Sequence, residues 1–114
     1  MDYQALLRGH ALSLEGAFED FPFGEHDAVY KAANQKIFLF LSSPGAPVQV
    51  SLKLTPEEVL EAQGLPFVGP VRYLSKKHWI SAKVNSEPEF DIVLAWVNRS
   101  YELVAPKRRA LKAP

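Results

Sequence analysis

The feature that most constrains the fold is a series of three short apolar segments joined by turns. Residues 28–33 and 36–42 have the pattern of two strands, and only Asn34-Gln35 separates them. A connection of this length fits a tight hairpin loop, although the usual glycine is missing. The second strand is apolar on both faces, which predicts a central position. The third segment, 48–54, alternates apolar and polar residues, so one of its faces is predicted to be buried and the other wet.

Three other segments have the pattern of helices. Residues 2–13 carry apolar residues at the spacing of an amphipathic helix. Thr55-Pro56-Glu57-Glu58 is a strong helix start, because threonine can cap, proline suits the first position and the last glutamate completes a capping box. A second capping-box pattern, Ser86-Glu87-Pro88-Glu89, opens the last helix. That helix is predicted to be the longest and most buried, and Pro106 ends it.

Between the second and third helices we expect one or two further strands. Residues 64–78 are interrupted by glycine and proline and predict a loop, with a short strand at 71–74. The segment from Trp79 to Val84 alternates again. One side of it carries Ile80, Ala82 and Val84, and the other carries Trp79, Ser81 and Lys83.

Residues 15–27 are predicted to be an ordered connector. Gly16 lies beyond the end of the first helix, and Pro22 and Gly24 prevent the helix from resuming. The phenylalanines of this segment are too apolar to be left in water, so we expect them to pack onto the core: Phe18, Phe21 and Phe23.

The element order is therefore helix, three strands, helix, one or two strands, helix. It predicts an α+β protein, with a mainly antiparallel sheet and helices packed on one face. The length of 114 residues suits a single domain over residues 1–114. The basic end of the chain, 107–114, is predicted to be a frayed tail.

Composition limits the classes of function. The chain has no cysteine, which excludes disulfides, thiolate chemistry and cysteine-ligated metals, and we expect a cytoplasmic location. No segment approaches the ~20 apolar residues of a membrane span. Thirteen lysines and arginines balance thirteen acidic residues, and this neutrality counts against strong non-specific DNA binding. The bases nevertheless cluster at Lys76-Lys77 and at Lys107-Arg108-Arg109, which can create a local positive patch.

No catalytic or metal-binding motif is evident. The histidines are not spaced as metal ligands, and only His26 has adjacent carboxylates, Glu25 and Asp27. There is no phosphate-cradling glycine loop and no nucleophile elbow. Glu19-Asp20 has the residue types of an acid/base pair, but a structural role, in which a carboxylate accepts backbone hydrogen bonds in the next turn, is favoured. We expect a protein that is not an enzyme and has no cofactor or metal.

The polar faces of two predicted strands give a better indication of function. One strand offers Gln49, Ser51 and Lys53, and the other offers Trp79, Ser81 and Lys83. If the two strands are close, these residues form one surface with a large aromatic ring among lysines and hydroxyls. Such a surface can stack on nucleobases and neutralise phosphates, or act as a protein-interaction hot spot. The alternative is architectural: Trp79 packs under the C-terminal tail or under the loop after Gly64.

Several short motifs, in the same order and spacing, resemble the MmcQ/YjbR family of small bacterial proteins. They are Leu12-Ser13-Leu14-Glu15-Gly16-Ala17, Glu19-Asp20-Phe21-Pro22-Phe23-Gly24, Val29-Tyr30-Lys31, Lys36-Ile37-Phe38, Val50-Ser51-Leu52-Lys53, Lys76-Lys77-His78-Trp79 with Tyr73, and Ser100-Tyr101-Glu102-Leu103-Val104. The sequence departs from the family at Gln35, where a glycine is common, and in the loop 64–72, which is more apolar than usual.

The resemblance implies a frataxin-like α/β sandwich, also described as a double-wing arrangement, in a family proposed to bind DNA. The contact residues that it implies are Lys53, Lys76, Lys77, His78, Trp79 and Lys83. The expected function is a non-enzymatic module that binds DNA weakly and in a salt-dependent manner through this basic and aromatic surface. The alternative is a protein-interaction module that uses the same sheet face around Trp79.

Overall fold

Three helices and six strands make up the computed structural model, which describes residues 1–25 and 27–106. In chain order the elements are α1 (Tyr3–Ser13), β1 (Phe18–Asp20), β2 (Ala28–Lys31), β3 (Ile37–Leu41), β4 (Gln49–Lys53), α2 (Pro56–Ala62), β5 (Val68–Gly69), β6 (Trp79–Lys83) and α3 (Glu87–Val104). The tail 107–114, for which fraying was predicted, and His26 lie outside the described residues.

The strands form one antiparallel sheet in the order β1-β2-β3-β4-β6-β5. The predicted hairpin of β2 and β3 is confirmed, and β3 lies in the middle of the sheet. Buried apolar residues on one face of β4 and β6, such as Leu52 and Ile80, share a core with residues of all three helices, such as Leu7, Val59 and Val97. The predicted α+β class is thus confirmed, with the helices on one face. We call the opposite face of the sheet the open face.

The caps of the helices follow local sequence with one exception. Asp2 caps α1 by accepting a hydrogen bond from the amide of Ala5 at 3.0 Å. At α2 the predicted capping box is present, since Thr55 and Glu58 each accept a bond from the other's amide. The capping box expected at α3 does not form. The Ser86 side chain makes no capping bond, and the Glu89 carboxylate accepts from the amide of Asn85, at 2.7 Å, rather than from that of Ser86.

The connector 15–27 contains a strand that the sequence did not reveal. Phe18–Asp20 forms β1 at the edge of the sheet and pairs with β2. The expectation that its phenylalanines pack onto the core was wrong: Phe18, Phe21 and Phe23 are 38%, 45% and 66% exposed. Phe18 is opposite Lys31 on the open face of an edge strand, and the other two lie in the turn beyond it, where no helix covers them.

Two further expectations for loops are revised. The short strand in the loop after α2 is Val68–Gly69, not 71–74, because the chain pairs with β6 as soon as it leaves Phe67. In the β2–β3 hairpin, Gln35 takes a φ of 69°, the left-handed region that glycine adopts freely. The glycine that the resemblance leads us to expect at this position would adopt this conformation without strain.

A bulge in β3 sends its two phenylalanines to opposite faces. Tyr30 is opposite Leu39 but Lys31 is opposite Ile37, so Phe38 has no partner on β2. Strict alternation would put Phe38 and Phe40 on the same face. Instead Phe38 is fully buried and packs edge-on against Tyr101 of α3, with ring centroids 5.3 Å apart. Phe40 projects onto the open face, because it is opposite Ser51.

A buried hydroxyl of α3 joins β3 to β4 beside this bulge. The Ser100 Oγ donates a hydrogen bond to the carbonyl of Phe38 at 2.7 Å and accepts one from the amide of Lys53 at 2.9 Å. The register of β3 and β4, with Leu39 opposite Leu52, would make Phe38 and Lys53 the next pair of the ladder. Ser100 is 0% exposed, so its hydroxyl substitutes for this missing backbone bond in a water-free position.

Replacing this hydroxyl should be costly. In Ser100→Ala the Phe38 carbonyl and the Lys53 amide lose their partner in the core, and each unpaired buried group costs about 1–3 kcal/mol. We expect the free energy of unfolding, measured by urea titration, to fall by about 2–4 kcal/mol. The exposed Ser75→Ala is the control and should change it by less than about 0.5 kcal/mol. An equally small change in Ser100→Ala would contradict this role.

Candidate functional site

The wet faces of β4 and β6 form one surface, as the sequence predicted. The two strands are neighbours, with Gln49 opposite Lys83, Ser51 opposite Ser81 and Lys53 opposite Trp79. Side chains of directly opposite residues point to the same face of a sheet, so all six lie on the open face. The Gln49 Nε2 donates a hydrogen bond to the Ser81 Oγ at 2.8 Å, which fixes the middle of this surface.

Three aromatic rings form a row across the open face. The half-buried Trp79 packs edge-on against Phe40, with ring centroids 5.8 Å apart, and Phe40 stacks against Phe23 at 6.5 Å. Of the two alternative positions for Trp79, the C-terminal tail lies outside the described residues. In the loop after Gly64, the ring of Phe67 stacks on Trp96 of α3, at 6.1 Å. Trp79 therefore belongs to the aromatic row formed by Phe23, Phe40 and Trp79.

A cleft of about 540 Å³ opens beside this row, between residues 66–72 and β6. Three cationic side chains line it, those of Arg72, Lys76 and Lys83. Gln49, Ser81 and Gly69 add polar groups and backbone to its wall. No carboxylate occurs among the described residues that line it. We call this the cationic cleft; it lies within the size range of small-ligand pockets, about 300–1,000 Å³.

Ion pairing separates the cations of the molecule into two groups. Arg8, Lys31 and Arg99 are paired with carboxylates, at N–O distances of 2.8, 2.7 and 3.0 Å to Glu19, Asp20 and Glu58. The other lysines and arginine within residues 1–25 and 27–106 form no ion pair with the carboxylates of those ranges: Lys36, Lys53, Arg72, Lys76, Lys77 and Lys83. All of these except Lys36 lie in the segment from β4 to β6, so the positive charge that is not neutralised is concentrated there.

Glu19 and Asp20, the residues considered as an acid/base pair, have structural roles. They alternate along β1 and point to opposite faces of the sheet. The Asp20 carboxylate accepts from the Lys31 Nζ and from the amide of Phe21 at 2.8 Å, and these bonds hold its pKa below its ordinary value. The predicted bond from a carboxylate to the backbone of the following turn is thereby confirmed.

Glu19 is part of a network on the helix side. Its carboxylate accepts two hydrogen bonds from Arg8 of α1 and one from the hydroxyl of Tyr30 at 2.7 Å. The bond from Arg8 is the main cause that lowers the pKa of Glu19. Burial, and then the neighbouring Glu19 carboxylate, raise the pKa of Tyr30. The network ties α1 to the first two strands.

The structure places the predicted contact residues at different points of this region. Lys76 and Lys83 line the cationic cleft. Lys53 is half-buried opposite Trp79, and its backbone is held by Ser100. Lys77 is exposed in the turn before β6. The carbonyl of His78 accepts from the amide of Leu54 at 2.9 Å, so its backbone extends the contact of β4 with β6.

Sequence reasoning missed Arg72 as a member of the site. It lies in the loop, where no periodicity indicates direction, and only the return of the chain along β6 brings it near Lys83. Its position two residues after Pro70, in a loop otherwise rich in apolar residues, was the one available signal.

The described residues show neither a metal-ligand cluster nor a membrane-spanning helix. Among residues 1–25 and 27–106, no group of three His, Asp or Glu side chains could hold a metal ion. The imidazole of His10 is hydrogen-bonded to Asn98 at 2.6 Å, and His26 is not among the described residues. No described helix has the length and apolar character needed to cross a membrane.

Comparison with known proteins identifies the family. A model of the YjbR family matches residues 12–103. The chain belongs to the YjbR family. An Escherichia coli O157:H7 protein described as uncharacterized protein YbdF is similar to this YjbR chain, with 32% identity over 108 residues, which cover 91% of this chain and 88% of that protein. The motif-based resemblance is therefore confirmed.

Solved structures share the fold of this YjbR chain. Protein DR2400 of Deinococcus radiodurans, with a DUF419 domain, has a TM-score of 0.74 and 27% identity, and the match covers 86% of this chain and 75% of that one. A Pseudomonas syringae protein has a TM-score of 0.71 and 20% identity, with 90% and 98% of the two chains covered. The arrangement of sheet and helices is thus common to proteins from different bacteria.

The depressed pKa of Glu19 leads to a pH prediction. A carboxyl group whose pKa is lowered by folding stabilises the folded protein above its unfolded pKa, near 4.5, and this contribution is lost as pH falls through the lower folded value. Glu19→Gln should therefore be less stable than the wild type at pH 7. The difference should shrink steadily below about pH 4.5, when unfolding is followed by circular dichroism.

Glu61→Gln is the matched control for this titration, because the exposed Glu61 forms no ion pair with the described residues. Its stability should follow that of the wild type at every pH. A Glu19→Gln difference that stays constant from pH 7 to pH 3 would contradict the role of the Arg8–Glu19 contact.

Proposed function

We propose that this protein is a non-enzymatic module that binds DNA through the open face of its sheet. The observation that carries the proposal is the concentration of unneutralised cations around Trp79, on the face that no described helix covers. The residues concerned are Lys53, Arg72, Lys76, Lys77 and Lys83.

The distribution of charge supports a polyanionic ligand. At the β1 side of the open face, Asp20 is already neutralised by Lys31. At the β4–β6–β5 side, the lysines have no such partner. A neutral protein can therefore present a positive surface, and each cation can replace a condensed counterion at a phosphate. Because the net charge is zero, the expected binding is weak and strongly salt-dependent.

The aromatic row supports single-stranded over duplex DNA. Rings that lie beside a cationic groove can stack on unpaired bases while the cations follow the backbone. The bases of a duplex are stacked on one another and do not offer their faces. The relatives come from bacteria, and for a bacterial DNA-binding module we expect a cytoplasmic location.

One observation favours a second candidate, a protein-interaction module on the same face. Phe23 continues the aromatic row and is 66% exposed, and Phe18 is 38% exposed on the same face. Exposed aromatic residues are enriched in protein-interaction hot spots. The two candidates differ in their response to salt. Phosphate contacts release counterions and so weaken as salt is added, whereas apolar contacts release none.

The basic cluster before β6 provides the test. Affinity for a fluorescent single-stranded oligonucleotide would be measured by anisotropy over a range of salt concentrations. Lys76→Ala with Lys77→Ala should weaken binding and reduce the slope of log K against log salt by about 1.4, since each phosphate contact on a single strand contributes about 0.7.

Lys36→Ala is the matched control, because Lys36 is also exposed and unpaired within the described ranges but lies in the β2–β3 hairpin. It should leave both affinity and slope unchanged. No binding of single or double strands at ~50 mM salt would refute the proposed function. An equal loss in the Lys36 variant would refute the assignment to this face.

A further inference from the structure

The cationic cleft is a concave part of the open face. Its wall at β5 is Gly69, which is opposite Ser81 and so faces the open side. A Cβ at Gly69 would have nothing within 4 Å, and the backbone there is not in the left-handed region. The absence of a side chain at this position thus leaves space that a larger residue could fill without a clash.

The cleft carries more positive charge than a phosphodiester within a DNA strand would neutralise. A phosphodiester carries a single negative charge, whereas a phosphate monoester carries about −1.5 to −2 at pH 7. Arg72, Lys76 and Lys83 line one volume, and no described carboxylate lies in its wall. A group with nearly two negative charges and three free oxygens matches this set of cations better than a diester does.

The floor of the cleft adds a directed donor. The Ser81 Oγ accepts a hydrogen bond from the side-chain amide of Gln49, so its own hydroxyl can donate to an oxygen of a ligand. Ser81 lines the cleft and is 6% exposed, so its hydroxyl lies at the buried end of the cleft.

A second, independent feature lies in the chain segment that joins two of the lining cations. Tyr73 is fully exposed and has a φ of 64°, a left-handed conformation that is unfavourable for a tyrosine. It stands in the chain between Arg72 and Lys76, which both line the cleft. Strained backbone of this kind occurs preferentially at ligand clamps and functional sites. An exposed aromatic ring beside a phosphate site can stack on a base.

We propose that the cationic cleft binds a phosphate monoester, namely the terminal phosphate of a DNA strand, with the end base stacked on Tyr73. The inference rests on the proposed function and sharpens it, because it predicts a preference for phosphorylated ends. A free nucleoside monophosphate carries the same chemistry, and the experiment distinguishes the two sources.

The test compares one oligonucleotide in three forms, with a 5′-phosphate, with a 3′-phosphate, or with hydroxyls at both ends. We expect one phosphorylated form to bind the wild type about tenfold more tightly than the hydroxyl form, through the added charge-assisted bonds. In Gly69→Val, whose side chain narrows the cleft without changing its charge, this preference should disappear while binding of the hydroxyl form persists.

Gly9→Val is the matched control, since Gly9 also has open space around its Cβ but lies on α1. It should retain the preference. Thermal melts verify that both variants fold, and Arg72→Gln provides a second test that leaves Gly69 intact. Tyr73→Ala should reduce the affinity for deoxyadenosine monophosphate about fivefold while leaving that for inorganic phosphate unchanged.

The outcomes separate the two proposals. Equal binding of all three forms by the wild type would overturn the terminal-phosphate site and leave DNA binding by the open face intact. If no oligonucleotide binds but the wild type binds deoxyadenosine monophosphate and Gly69→Val does not, the DNA function fails and the cleft is a free-nucleotide site. If neither ligand binds, both proposals are wrong.

Discussion

The hydroxyl of Ser100 is the constraint on which the arrangement of the sheet depends. At the bulge in β3 the ladder with β4 stops, and a buried carbonyl and a buried amide would remain unpaired without this side chain. A single serine on α3 satisfies both, so the helix is docked and the strands are held in register by the same group. Because of the bulge, Phe40 faces the open side. The fixed backbone of Lys53 sets the position of this residue opposite Trp79.

The two faces of the sheet consequently differ in their chemistry. The helix side contains the core and the network of Arg8, Glu19 and Tyr30, in which the charges are neutralised locally. The open side carries an aromatic row and, at its β5–β6 edge, cations without carboxylate partners among the described residues. Charged side chains on the helix side and at the β1 edge of the open face are used in ion pairs, whereas the cations at the β5–β6 edge of the open face are left available. This asymmetry is the physical basis of the proposed DNA binding.

Sequence reasoning predicted what depends on local pattern. The alternation in 48–54 and from Trp79 to Val84 correctly predicted two strands with one wet face each, and Thr55 predicted the start of α2. It failed where pairing between distant parts of the chain determines the structure. The three residues of β1 are too few for a pattern, and the phenylalanines of the connector stay exposed because they lie at the edge of the sheet and in the turn beyond it. Ser100 and Arg72 acquire their roles only when α3 and the loop after α2 pack against the sheet.

Binding at the open face can be mapped by the amide chemical-shift changes that appear when a single-stranded DNA with terminal phosphates is added to the labelled protein. We expect the changes to cluster at Lys53, Gly69, Ser81 and Lys83 and to fade as salt is raised. The outward faces of α1 and α3 should remain unaffected. Changes confined to those helices, or no change at low salt, would contradict the claim that the open face is the binding surface.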